Sequence, residues 1–63
     1  MKLSELKVGD IVLADAGFNC LTAGEHTVAE SEGELFIPCS YGKHYLKGHV
    51  DVETDEVIGF SKP

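Results

Sequence analysis

The chain has five thiol or imidazole side chains, the types best suited to ligate zinc or to pair as nucleophile and base: Cys20, His26, Cys39, His44 and His49. Three of them crowd into one stretch, PCSYGKHYLKGH, residues 38–49. The same stretch holds both tyrosines and two of the five lysines.

Four chemistries can be built from these residues. Zinc takes four nitrogen or sulfur ligands in a tetrahedron, usually supplied as two close pairs. Cys39-x4-His44 and His44-x4-His49 are turn-sized intervals, and Cys20-x5-His26 brackets another turn. The ligand set these intervals favour is Cys20, Cys39, His44 and His49. No C-x2-C pair is present, so the set follows no recognised finger pattern. Both cysteines also suit small apolar core positions. A Cys20–Cys39 disulfide would close about 20 residues and contribute about 3 kcal/mol. Nucleophilic catalysis would pair Cys39 with His44 or His26, with Lys43 or His44 lowering the thiol pKa. It also needs an orienting group, an oxyanion hole and a pocket, which is a great deal to fit in 63 residues. The chain is therefore not expected to be an enzyme. Recognition is the fourth chemistry. Tyr41, Lys43, His44, Tyr45, Lys47 and His49 mix rings with cations, and rings give contact area at low entropic cost.

Charge sharpens the last reading. The chain carries 11 acidic residues against 5 lysines and no arginine, for a net charge of −6. Arginine is the preferred reader of phosphate and guanine, so its absence argues against a nucleic-acid-binding protein. Residues 40–49 carry Lys43 and Lys47 and no acid, while the rest of the chain sums to −8. A basic island thus sits on an acidic body. The acids gather elsewhere, with Glu30, Glu32 and Glu34 around one turn and Asp51, Glu53, Asp55 and Glu56 around another. Such runs read as solvated faces.

No run of apolar residues has the length of a signal peptide core or of a membrane span. A cytoplasmic protein without membrane contact is expected, with both cysteines reduced. At 43% apolar residues the chain is expected to fold. It is read as a single small β domain, residues 1–63.

The elements that must position these residues are short strands. Seven glycines punctuate the chain, mostly inside polar clusters between apolar runs. The expected strands are 11–14, 18–22, 26–30, 34–39, 44–47, 50–53 and 56–61. Alternation puts Leu35, Ile37 and Cys39 on one face, with Phe36 and Pro38 on the other. It likewise pairs Val50 with Val52 and Ile58 with Phe60. A single helical turn is expected near Leu3 and Leu6, with Ser4 as its cap. The fold class is all-β, a small barrel or roll of five to seven short antiparallel strands. Closure would remove exposed edges.

LSELKVGDIVLA, residues 3–14, resembles the opening of SH3-like small β-barrels: a leucine, a turn ending in Gly-Asp, then an apolar strand. The resemblance implies an SH3-like barrel, and such barrels mostly bind peptides, nucleic acids or other proteins. No binding residues carry over, because the aromatic groove of proline-peptide binders often includes a tryptophan and this chain has none.

The expected function is that of a non-enzymatic β module without a cofactor. It would bind a protein partner, or itself, through the Tyr41–His49 hairpin. The alternative is a small zinc-binding domain.

Overall fold

Turns and strands alternate at intervals too short for any long element. The computed structural model describes residues 1–17 and 20–63. Among these the chain is all-β, with eight strands. In order they are β1 (Ile11–Ala14), β2 (Gly24–Thr27), β3 (Ala29–Ser31), β4 (Glu34–Cys39), β5 (Gly42–Tyr45), β6 (Val50–Asp51), β7 (Glu56–Val57) and β8 (Phe60–Ser61). One 3-10 turn, Leu3–Glu5, precedes them and a second, Leu46–His49, separates β5 from β6. No helix among the described residues is long and apolar enough to cross a membrane.

The strands pair antiparallel in three sheets, ordered β2-β1-β8, β3-β4-β5 and β6-β7. Among the described residues these ladders stay separate. Val28 lies between β2 and β3, at the passage from the first sheet to the second, and is 1% exposed. Its N–H donates to the Asp10 carbonyl at 2.9 Å and its carbonyl accepts from the Gly9 N–H at 2.8 Å. The first residues close over the third sheet. The Leu3 N–H donates to the Asp55 carbonyl and the Val57 N–H to the Met1 carbonyl, each at 2.9 Å.

Two turns fix the register of the central sheet. Ser31 faces Glu34, leaving Glu32 and Gly33 as a two-residue loop. Both have positive φ, 53° and 82°, as a type I′ turn demands. Cys39 faces Gly42, with Ser40 and Tyr41 between, and Gly42 takes a φ of 115° that other residues rarely adopt.

All three layers contribute to one core: Leu6, Val12, Ala14, Leu21, Val28, Ile37, Leu46, Val57 and Phe60. Leu46 fills it from the second 3-10 turn. The radius of gyration, 10.6 Å, is that of a well-packed chain of this length.

Several element expectations are corrected. Ser4 lies inside the first 3-10 turn rather than capping it, and Lys2 holds the cap position. The expected strand over 18–22 lies partly outside the described residues. Within them Cys20 is in a turn and Leu21 makes only an isolated bridge. The run 56–61 splits in two because Gly59 has a φ of 88°. Alternation therefore changes phase: Val57 and Phe60 are buried, while Ile58 is 59% exposed. Val52 is 94% exposed, since it sits in the turn after β6 and not on the strand. The expected strand 44–47 ends at Tyr45, where the chain winds into the 3-10 turn.

The cysteines are also corrected. Cys20 and Cys39 form a disulfide, with Cα atoms 5.5 Å apart, in place of two reduced thiols. The separation lies well inside the range such a bond requires.

Candidate functional site

Strand alternation divides the 38–49 stretch between two faces. In the β4–β5 ladder Phe36 pairs with Tyr45, Ile37 with His44 and Pro38 with Lys43. Phe36, Pro38, Lys43 and Tyr45 thus share the outer face. Ile37, Cys39 and His44 share the inner face, where Ile37 is fully buried.

The outer face is a layer of rings and ammonium groups. Phe36 and Tyr45 are half-buried, with ring centroids 5.9 Å apart and planes tilted by 56°. The Lys43 ammonium lies 5.5 Å from the Phe36 centroid and donates to the Ser31 hydroxyl at 3.3 Å. The Lys47 ammonium lies 5.5 Å from the Tyr45 centroid and pairs with the Glu34 carboxylate. That pairing, first by hydrogen bond and then by charge, raises the Lys47 pKa above its ordinary value. Both partners are well exposed, so the pair orients the lysine more than it stabilises the fold. Tyr41, at the hairpin tip, is 86% exposed.

A shallow slot of about 320 Å³ lies at the β3–β4 turn end of the sheet, on the Leu35 side of β4, and reaches the outer face only at Glu34 and Lys47. Leu3, Leu6 and Leu35 give it an apolar lining, and Glu34 and Lys47 stand at its edge. The slot is open to solvent and not buried, which agrees with the small core.

The inner face gathers sulfur and imidazole. His44 Nδ1 lies 3.7 Å from Cys20 Sγ. His44 Nε2 lies 2.6 Å from His49 Nε2, and the two rings stack at 4.8 Å with planes 27° apart. His49 meets the Phe60 ring edge-on at 5.4 Å. Burial, and then the nearby His44, push the His49 pKa below its ordinary value. The 3-10 turn makes this cluster: it carries His49 back beneath β5, onto His44.

The six residues expected to bind a partner are therefore split. Tyr41, Lys43, Tyr45 and Lys47 are on or beside the outer face. His44 and His49 belong to the inner cluster with the disulfide. The four residues expected to ligate metal, Cys20, Cys39, His44 and His49, do come together. With the cysteines bonded to each other, no group of three or more His, Cys, Asp or Glu among the described residues is placed to hold a metal ion. His26 stands apart, with Nε2 2.7 Å from the Thr22 carbonyl.

Phe36, Ser31 and Glu34 also belong to the outer face, outside the set that residue type and spacing single out. Alternation along ELFIPC had already set Phe36 opposite the core face, and that was the available signal.

No family model, curated protein or solved structure matches the chain.

Proposed function

We propose that this protein is a small, non-enzymatic β interaction module that binds an acidic segment of a protein partner. The binding surface is the outer face of β4 and β5, with Tyr41, Lys43, Tyr45 and Lys47 as its contact residues and Phe36 beneath them. The observation that carries the reading is the pair of half-exposed rings under two ammonium groups, on a chain whose net charge is −6. An acidic partner is steered to this island and repelled elsewhere. The leucine-lined slot beyond Lys47 and Glu34 suits one apolar side chain of a partner segment that runs past the sheet's turn end. The turn-then-strand opening, LSELKVGDIVLA, supports grouping the chain with SH3-like binding modules.

The test is selection from a random peptide library on the wild-type protein and on the Tyr45→Ala/Lys47→Glu variant. The wild type should enrich acidic peptides bearing an aromatic or aliphatic residue, and the variant should lose them. Enrichment of basic peptides, or equal enrichment by both proteins, overturns the reading. Self-association is a separate outcome, read by sedimentation velocity. The acidic turn around Asp51 and Glu53 of a second copy has the charge to meet the island, and a salt-sensitive dimer lost in the variant would make the partner this chain itself.

A further inference from the structure

The inner cluster has the composition of a metal site whose two sulfurs are tied together. We propose that Cys20, Cys39, His44 and His49 form a redox-gated zinc site: a disulfide when oxidised, a tetrahedral Cys2His2 centre when reduced.

Geometry supports the reduced form. Zinc–sulfur bonds of about 2.3 Å and zinc–nitrogen bonds of about 2.0–2.1 Å set the edges of the tetrahedron. Those lengths make a sulfur–nitrogen edge of about 3.6 Å and a sulfur–sulfur edge of about 3.8 Å. The observed 3.7 Å from Cys20 Sγ to His44 Nδ1 is already such an edge. The two sulfurs must part from bonding distance, about 2.0 Å, to that edge. Once the bond is reduced, rotation about the two Cα–Cβ bonds is the movement required, and both cysteines are half-buried and not locked in the core. His49 now meets His44 through Nε2, while Cys20 meets it through Nδ1, so His49 supplies the fourth nitrogen by leaving that 2.6 Å contact and swinging its ring round to the Nδ1 side. Its backbone, in the Leu46–His49 turn, is held by the buried Leu46 and by its carbonyl accepting from the Ile58 N–H at 2.7 Å.

The chemistry balances. A dithiol reductant gives two electrons and two protons to the Cys20–Cys39 bond. That bond breaks, two thiols form, and the reductant becomes a disulfide. Zn²⁺ then binds the two thiolates and releases the two thiol protons to solvent. In the reverse direction a disulfide oxidant takes two electrons from the zinc-bound thiolates and two protons from solvent and becomes a dithiol, while the Cys20–Cys39 bond re-forms and Zn²⁺ leaves. Both forms tie Cys20 to the end of β4. The two staples exclude each other because they use the same sulfurs.

The test uses Co²⁺ and Zn²⁺ alone as probes, with the full chain, anaerobically. Reduced wild-type protein should bind one Co²⁺ per chain with the visible spectrum of a tetrahedral ion and sulfur-to-metal charge transfer, and Zn²⁺ should displace it. The oxidised protein should bind neither. His44→Ala and His49→Ala should each weaken binding by at least about tenfold. Both variants should still close the disulfide on oxidation, which separates loss of a ligand from loss of the fold. Reduced wild-type protein that takes up no metal, folded or not, overturns the proposal. So does binding by either histidine variant at the wild-type level.

Discussion

Ile37 and its neighbour Pro38 occupy adjacent positions on one strand and have opposite surroundings. Ile37 is fully buried in the same core as Val12, Val28 and Leu46, the other largest fully buried side chains. Truncation to alanine leaves a cavity and should cost about 2–5 kcal/mol, measured by urea denaturation. Pro38→Ala and Lys43→Ala, on the outer face, should stay within about 0.5 kcal/mol of wild type in the same experiment. Asp55 offers a test by pH. Its carboxylate accepts from the Ser4 backbone N–H at 3.1 Å, and bonds to the Ser4 side chain and backbone hold its pKa below the ordinary value. A carboxylate with a lowered folded pKa contributes stability above its unfolded pKa and loses it as pH falls through the folded one. Asp55→Asn tolerates the same backbone, whose φ is 61°. The gap in stability between wild type and this variant should therefore be present at neutral pH and close below the ordinary value of 3.8. A gap that persists unchanged in acid would assign the effect to something other than the charge.

Elements that run unbroken were legible in the sequence. The Leu35-Ile37-Cys39 face emerged from alternation because β4 is six residues of continuous ladder. Ile58 and Phe60 were misassigned because a positive φ at Gly59 reverses the phase, and alternation cannot see a break it does not expect. Val52 failed for the same reason, since a turn follows β6 after two residues. In the candidate site, the gathering of these residues in one hairpin was legible and their division between its two faces was not. YLKGH reads as strand followed by turn, and only the 3-10 winding after Tyr45 brings His49 onto His44. The cysteine spacing likewise allowed core, disulfide and metal readings, because spacing does not specify how close two distant strands come. The turn joining β3 and β4 yields a further prediction. Glu32 holds a φ of 53° in a turn that favours Asn-Gly. Glu32→Asn should stabilise the protein by about 0.5–1 kcal/mol, the scale of relieving one unfavourable backbone position. In a domain of this size that raises Tm by about 2–8 °C. An unchanged or lower Tm would place the strain elsewhere.

A molecule this small depends on its staple. It buries only about 60% of the surface its unfolded chain exposes, so one covalent link is a large part of its stability. Reducing Cys20–Cys39 in metal-free buffer should cost about 3 kcal/mol, given a loop closed over a separation of 19 residues. Equilibrium denaturation of the reduced and oxidised forms measures this directly, and equal stabilities would show that packing alone holds the fold. The staple lies on the inner side of β4 and β5, and the recognition proposed above uses their outer side. That division of one hairpin into a stapling face and a recognition face is tested most directly by amide and side-chain NMR, as an acidic peptide selected on the wild type is titrated into the oxidised protein. Shift changes should centre on Phe36, Lys43, Tyr45 and Lys47, with His44, His49 and Cys39 unmoved. Changes centred on the two histidines and the disulfide would contradict it.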